Sequence, residues 1–509
     1  MHTITIALIS NITLEPFLLP QLQECFASSE INVTLQRIPY NEYEGSGDTL
    51  ANADFVVICL NFEDLYPNAV IDTLSKRIST MELLQDVCMK CQMLQQFLSK
   101  QTKAYRLWFG FEDEGFRQAE LQGSVPPLEM LIDRINLTLY EMMEECDVYL
   151  DLKHLLGRIG MKYARNNRGK YRWNAPYSKE TMQAIAMEIY KQFLVHTGRT
   201  KKCLVVDCDN VLWGGVLSED GIDNIHLAES GVGRKYADFQ RFLVSLYYRG
   251  VILAVCSKNN IEDVAQVFCE HSGMILEEEQ IACFQCSWKN KPEGIKAISE
   301  FLNIGLNSIV FIDDMDFEIG MVQAMLPEVV TVKFDLQYAE KLAFHFNLKN
   351  LGNIEDIQLR IKTYRTNRER EKIYKKSVSH EEYLRELRTE IRFSATHSTE
   401  FARIAELTQR ANQCTNGKRY TVEAIKDICS EGRYELYSVW VSDRFSSLGI
   451  VGAIGIYEGV LDLFVLSCRA MGRNVEEMMV EYACSLGAQT AYFESTGKNE
   501  KIEALLKQL

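Results

Sequence analysis

Cys203-Leu204-Val205-Val206-Asp207-Cys208-Asp209-Asn210-Val211-Leu212-Trp213-Gly214-Gly215 is the stretch on which the reading of this chain turns. An apolar run ends in Asp-x-Asp, and the chain then turns on Asn210 with two glycines close behind. A strand buried in a parallel sheet reads as a continuous hydrophobic run, and open α/β sheets place their chemistry beyond the carboxyl ends of the strands. Two carboxylates one residue apart at such an end can share a divalent cation and a phosphoryl group. An aspartate can carry a covalent phosphoryl intermediate, which makes Asp207 a candidate nucleophile. Asp209 is then the candidate acid that protonates the leaving oxygen and the base that later activates water. Taken alone, the stretch reads equally well as a strand ending in a solvated Asp-rich turn.

Two further runs weigh against that plainer alternative. Val251-Ile252-Leu253-Ala254-Val255-Cys256 ends in Ser257-Lys258-Asn259-Asn260, a hydroxyl and backbone N–H groups at a strand end before a helix, which suits a phosphate oxygen. Lys291, in Trp288-Lys289-Asn290-Lys291-Pro292, offers a positive charge to the same phosphate. Ile309-Val310-Phe311-Ile312 ends in Asp313-Asp314, with Glu318 five residues past Asp313. Hard carboxylate oxygens there suit Mg²⁺, which prefers octahedral oxygen ligation. Each run is commonplace; their order, Asp-x-Asp, Ser, Lys, Asp-Asp, is specific.

That order resembles the haloacid dehalogenase-like phosphohydrolase superfamily over about residues 200–350. Asp-Asn-Val-Leu-Trp-Gly-Gly-Val-Leu, Val-Cys-Ser-Lys-Asn, and Phe-Ile-Asp-Asp with Glu318 resemble its FkbH-like branch. That branch is associated with loading a glyceryl unit from 1,3-bisphosphoglycerate onto acyl carrier proteins. The resemblance implies Asp207 as nucleophile and Asp209 as acid/base. It implies that Ser257 and Lys291 hold the phosphoryl group, and that Asp207, Asp209, Asp313 and Asp314 surround Mg²⁺. One departure stands out: the branch has Thr where Val211 stands, so a small polar contribution is missing here.

Composition bounds the rest. The chain has 509 residues, long enough for roughly three domains at about 150 residues each. A hydrophobic content of 47% with 25% charged residues predicts packed cores throughout. The net charge of −15 argues against a nucleic-acid or anionic-membrane partner as the main role. Fifteen cysteines, an odd number scattered over predicted strands and helices, predict reduced thiols in a cytosol rather than a disulfide framework. Cys88 and Cys91 form a C-x-x-C inside a helical pattern with no second pair, and read as core or half-buried thiols. No segment approaches 18 apolar residues and the start lacks a signal peptide's basic lead, so a cytoplasmic protein without membrane insertion is expected.

Residues 1–198 alternate strand and helix signals, which predicts a parallel sheet with helices on both faces. This region resembles the N-terminal domain of FkbH-like proteins, itself similar to SGNH-type hydrolases. Their nucleophile turn is replaced by Ser10-Asn11-Ile12-Thr13-Leu14-Glu15-Pro16, and Arg172-Trp173-Asn174-Ala175-Pro176-Tyr177 stands where their Asp-x-x-His belongs. A degenerate, binding or scaffolding domain is expected. Gly198 marks the boundary to the phosphatase-like domain, 199–353, in which only about 40 residues separate the first two motifs, too few for a large cap. Residues 354–391 are dense in mixed charge and read as a solvated linking helix, with docking of an acidic carrier as the sharper alternative.

Residues 392–509 change pattern, with two helices, then three strands, then Leu466-Ser467-Cys468-Arg469-Ala470-Met471-Gly472-Arg473-Asn474 and a helix. A strand, Arg-x-x-Gly-x and a helix resemble the pyrophosphate-binding turn of the GNAT acyltransferase fold, where N–H groups at a helix N-terminus face an anion. In FkbH-like proteins this place carries Leu-Ser-Cys-Arg, with the cysteine as the proposed acyl-carrying residue, so the resemblance implies a thioester on Cys468. Arg469, Gly472 and Arg473 are the implied phosphate contacts. The acceptor implied is the phosphopantetheine thiol of an acyl carrier protein, with its arm in the groove where CoA lies in GNAT enzymes. Gln409-Arg410-Ala411-Asn412-Gln413-Cys414-Thr415 and Thr496-Gly497-Lys498-Asn499 also resemble the branch. Asn412 and Gln413 either bind glyceryl hydroxyls or cap a helix, and Lys498 is placed to meet substrate phosphate.

The expected architecture is therefore α/β and multidomain: an SGNH-like parallel domain, a Rossmann-like phosphatase core without a large cap, and a GNAT-like α+β domain. Three functions follow: a glyceryl transferase acting on a phosphorylated three-carbon substrate, a stand-alone small-molecule phosphatase, or a non-catalytic scaffold.

Overall fold

The apolar runs become central strands. In the computed structural model, which describes residues 2–27, 29, 31–112, 127–144, 146–348, 354–365, 386, 388–430 and 432–507, the chain divides into two units, Met1–Phe193 and Leu194–Leu509.

The first unit holds a parallel sheet of β1 (His2–Ser10), β2 (Ile31–Pro39), β3 (Phe55–Cys59), β4 (Tyr105–Phe109) and β5 (Asp147–Leu150), in the order β2-β1-β3-β4-β5. Edge strand β2 alternates buried and exposed residues along most of its length, whereas central β3 is buried at every position, as a strand covered on both faces must be. The helix Thr80–Gln101 begins with a capping box between Ser79 and Glu82 and carries Cys91 into the core, with Cys88 half-buried. Ser10 is 1% exposed, and its hydroxyl donates to the carbonyl of Ile12 at 3.0 Å and accepts from the Ile12 N–H at 3.2 Å. It closes a turn instead of facing a substrate.

The second unit holds two sheets. The first is parallel: β6 (Cys203–Val206), β7 (Ile252–Ser257), β8 (Ile281–Cys286), β9 (Ile309–Asp313) and β10 (Val330–Lys333), in the order β10-β9-β6-β7-β8. Strands β6, β7 and β9 are buried at every residue. The chain runs outward from β6 to β8 and then returns to the other side of β6 as β9. That reversal opens a crevice beyond the carboxyl ends of β6 and β9, the usual ligand position in an open α/β sheet. Between β6 and β7 the chain carries the helices Leu217–Asp220 and Arg234–Tyr248 with a single turn at Gly231–Gly233, so the crevice has no large cap.

The charged segment after this sheet is only partly described, and its described part corrects one expectation. The helix Ile354–Arg365 is not merely solvated: Ile357, Ile361 and Tyr364 are 4%, 2% and 6% exposed and join the core of the sheet β10-β9-β6-β7-β8. Its apolar residues four and three apart outweigh the charges between them. Residues 366–385 of the mixed-charge segment, with Arg368 and Arg370, lie outside the described residues, as do the side chains of Arg360 and Arg365.

The last sheet is mixed: β11 (Glu390–Ala395), β12 (Tyr434–Ser442), β13 (Ser447–Tyr457) and β14 (Val460–Leu466) are antiparallel, and β15 (Thr490–Ala491) runs parallel to β14. The last pair stays together only at Val460–Leu461, and the gap opening beyond it is filled by the chain's own residues 414–416. The Leu466 N–H donates to the Cys414 carbonyl at 2.8 Å, and the Asn416 N–H donates to the Phe464 carbonyl at 2.9 Å. The Glu494 N–H completes the far side by donating to the Asn416 carbonyl at 2.9 Å.

Candidate active site

Local sequence aims the side chains of the crevice. Asn210 takes a left-handed conformation (φ 54°), one that Asn tolerates better than other side chains, and its Oδ1 accepts from the Gly215 N–H at 3.0 Å. Asn290 caps the helix Lys291–Leu302 by accepting from the Glu293 N–H at 2.9 Å, and Pro292 sits in the first turn where its missing N–H costs nothing. That cap fixes Lys291 at the start of the helix, 3% exposed and turned inward.

Asp207, Asp313 and Asp314 converge, with one carboxylate oxygen from each lying within 4.8 Å of the others. Lys291 Nζ pairs with Asp207 Oδ1, reaches Asp313 Oδ2 at 3.2 Å and donates to the Cys256 carbonyl at 2.8 Å. Burial alone would push the ammonium down, but Asp207 and Asp313 together hold it above its ordinary value. Burial and then the charge of Asp207 push both Asp313 and Asp314 up from the usual carboxylate range. Three carboxylates meet one ammonium, leaving about two negative charges uncompensated in a buried site, and buried charge is costly unless paired or bound to a metal. The donor set, hard and all oxygen, fits a divalent ion such as Mg²⁺.

Asp209 is arranged differently, and this corrects its expected place among the metal ligands. Its Oδ1 accepts from Trp213 Nε1 at 2.9 Å and the Leu217 N–H at 3.1 Å, and its Oδ2 accepts from Asn259 Nδ2 at 2.9 Å. Three donors hold the carboxylate outside the Asp207–Asp313–Asp314 group. Burial pushes its proton affinity up, and the Asn259, Leu217 and Trp213 bonds only partly offset that. An oriented carboxyl with a raised proton affinity suits acid and base work rather than ligation.

Asn259 also donates to Ser257 Oγ at 3.0 Å, so one amide ties the Ser257 hydroxyl to the Asp209 carboxylate. Asn259 and Trp213 were both within the quoted stretches, yet nothing in their spacing singled them out. Glu318, 4% exposed, pairs with Lys258 at 2.5 Å. Val211 is fully buried in the core, so the position lacking the branch's threonine packs as an apolar one.

The second set of candidates lies at the other end of the sheet. Lys291, the first residue of its helix, touches Asp207, while Asn303, just beyond the helix end, donates to the Cys468 carbonyl at 3.2 Å. Twelve helical residues separate the two contacts, a distance of about 18 Å at 1.5 Å per residue. Cys468 is half-buried in the turn Cys468–Ala470, with Gln413 Oε1 3.9 Å from its Sγ; the side chain of Arg469 lies outside the described residues.

Three expectations here need correction. Asn412 neither caps a helix nor presents a free amide: Nδ2 donates to the Gly198 carbonyl at 2.8 Å and Oδ1 accepts from Arg419 Nη2 at 2.6 Å. Arg473, 7% exposed, is paired with the buried Asp443 at 2.9 Å, which takes it away from a phosphate. Gly472 has the expected positive φ (71°), but its N–H donates to Glu476 Oε1 at 3.0 Å, so the turn already holds a carboxylate. Lys498 lies on the surface, and partial burial and then the charges of Lys202 and Arg199 lower its proton affinity.

Residues 202–327 match the family model of the NLI interacting factor-like phosphatases. A solved structure of the N-terminal part of the protein BF1531 from Bacteroides fragilis, containing a phosphatase domain complexed with Mg, is 23% identical, with a TM-score of 0.60 over 68% of this chain and 94% of that one. At that identity the likeness shows the fold alone: a multidomain α/β chain with Rossmann-like parallel sheets. An uncharacterised protein from Corynebacterium glutamicum aligns at 16% identity over 28% of this chain and 94% of its own, and its TM-score of 0.20 carries no argument. No curated protein matches the chain.

Proposed function

We propose that the chain is a Mg²⁺-dependent phosphohydrolase coupled to acyl transfer, which delivers a glyceryl unit from 1,3-bisphosphoglycerate to the phosphopantetheine thiol of an acyl carrier protein. The observation that carries the hydrolase half is the convergence of buried Asp207 and Asp313 and half-buried Asp314 against the single ammonium of Lys291. Asp207, Asp313 and Asp314 would hold Mg²⁺, which supplies positive charge to the phosphoryl oxygens. Asp207 attacks phosphorus, the bond from phosphorus to the glyceryl oxygen breaks, and Asp209 protonates that oxygen. Asp209 then takes a proton from water, which releases inorganic phosphate from Asp207. Lys291 and Ser257 hold the phosphoryl oxygens in place.

The transfer half rests on the resemblance around Cys468. Its sulfur attacks the acyl carbon of the carboxyl–phosphate anhydride, the bond to the phosphate oxygen breaks, and phosphate leaves. The carrier's thiolate then attacks the thioester carbon and Cys468 leaves as thiolate. The first unit serves as a degenerate SGNH-like scaffold in this reading, and the last sheet as a GNAT-like acyl-transfer domain. A phosphatase acting alone is the second reading, favoured by the carboxylate of Glu476 on the turn where that fold would bind pyrophosphate.

Intact-protein mass spectrometry after incubation with 1,3-bisphosphoglycerate (made in situ) and Mg²⁺ tests this. A glyceryl-sized adduct is expected on the wild type and none on Cys468→Ala, while Asp207→Asn should hold a heavier, still phosphorylated adduct. Phosphate release with no adduct on Cys468 would leave the lone phosphatase standing.

A further inference from the structure

We propose that Lys258, held by Glu318 across the tip of β6, binds a second anionic group on the substrate. The site then selects phosphate esters that carry a carboxylate or acyl phosphate a few bonds from the transferred phosphoryl group. The inference rests on the reading of Asp207 as the hydrolase centre and adds the residue that recognises the rest of the substrate.

The order of the strands places the pair. Lys258 directly follows β7, and Glu318 lies in the first turn of the helix Asp316–Met325, which follows β9. Strand β6 runs between β7 and β9. The two outer strands are therefore two spacings apart, about 10 Å, a gap that a lysine and a glutamate close only by meeting end to end. Lys258 Nζ meets Glu318 Oε1 at 2.5 Å, so the ion pair spans the end of β6, after which Asp207 and Asp209 follow. Both ends of the span are tied to the site. Asn259, beside Lys258, donates to Asp209 Oδ2 and Ser257 Oγ. Met315, at the cap of the helix that carries Glu318, donates its N–H to Asp313 Oδ1 at 2.9 Å.

The two members of the pair differ in exposure. Glu318 is 4% exposed, and its Oε2 is buried without a hydrogen-bond partner. A buried carboxylate stripped of its counter-charge is costly, which keeps the ammonium of Lys258 in place. The lysine side chain itself is 38% exposed. An ammonium has three N–H donors, and among the described residues Glu318 is its one partner, so donors remain for an oxygen arriving from outside. Lys291 cannot serve that oxygen: it is 3% exposed and engaged with Asp207, Asp313 and the Cys256 carbonyl. Nor does a large cap cover the crevice to read the rest of a substrate, so the task falls to side chains on the loops that follow the strands. Lys258 is such a side chain, fixed in advance by a buried partner.

Paired substrates test this with the full-length protein and Mg²⁺. 3-Phosphoglycerate and glycerol 3-phosphate share the phosphate ester, and a hydroxymethyl group replaces the carboxylate in the second. At constant ionic strength, kcat/KM should favour 3-phosphoglycerate about tenfold, the size of one charge-assisted contact, with the difference in KM rather than kcat. Lys258→Met should erase most of that preference, and Lys258→Arg should keep it. Because Lys258→Met strands a buried carboxylate, the double variant Lys258→Met with Glu318→Gln guards against a loss of folding and should lose the preference too. A pair that only ties two loops together would lower Tm and leave the preference intact. Equal kcat/KM for the two esters in the wild type, or a preference that survives in the methionine variants, overturns the proposal. Release of phosphate from neither ester would sink the hydrolase reading by itself, and calorimetry on the same protein would then decide the anion site. Equal Kd values overturn it, and tighter binding of 3-phosphoglycerate that Lys258→Met abolishes upholds it.

Discussion

At the scale of single residues, the carboxylate of Asp209, the proposed acid/base, is placed by its neighbours. Asn259→Ala removes the one donor shared by Asp209 and Ser257, and kcat for a small phosphate ester should fall about tenfold, the loss of a charge-assisted bond. A steady-state assay checks this; an unchanged kcat would mean that Trp213 and Leu217 suffice. Val211 offers the converse case. Restoring threonine there buries a hydroxyl in a position 0% exposed, so Val211→Thr should lose about 1–3 kcal/mol of stability, read as a lower Tm, without a gain in rate. The sequence made Asp207, Asp313 and Lys291 legible because their chemistry is written at strand ends. It hid Asn259 and Trp213 because an amide and an indole have many uses, and only the folded turn aims both at Asp209.

At the scale of elements, the apolar runs located the central strands well, because burial on both faces imposes an uninterrupted pattern. What periodicity could not reveal was which gaps between elements the chain fills for itself. Asn412 carries this lesson, since its amide ties the last domain to the Gly198 carbonyl and to Arg419. Asn412→Ala removes a hydrogen bond from the Gly198 carbonyl and one from Arg419, so a Tm lower by a few degrees is expected, with kcat at Asp207 unchanged. His345, half-buried on the phosphatase domain, provides a pH test. Burial, then the charge of Lys201, hold its proton affinity down to about 4. The imidazole stays neutral in the folded chain, while the unfolded chain takes up a proton below about 6.5. Its share of the stability is therefore complete above about 6.5 and is lost as pH falls from there towards 4. A melting series should show a shallower decline for His345→Gln over that window.

At the scale of the whole molecule, the proposed function puts two chemistries at opposite ends of one parallel sheet, about 18 Å apart along one helix. No three-carbon substrate spans that distance, so the steps occur in separate places. Asp207→Asn and Cys468→Ala, each inactive in transfer to a carrier, should therefore complement when mixed, with a rate that falls on dilution. A mixture as inactive as its parts would mean that the intermediate never leaves the chain. Chelation should abolish phosphate release and added Mg²⁺ should restore it, while capture of Cys468 by a disulfide reagent proceeds in either state.

The carboxylate of Glu476 on the Gly472 N–H has one more consequence. A free coenzyme carrying a diphosphate would have to evict it, whereas a thiol tethered to a protein through a single phosphate has no need of that turn. On the proposed reading of Cys468, the domain thus insulates its thioester from the cell's soluble coenzyme pool, and its selectivity comes from a door that is already shut.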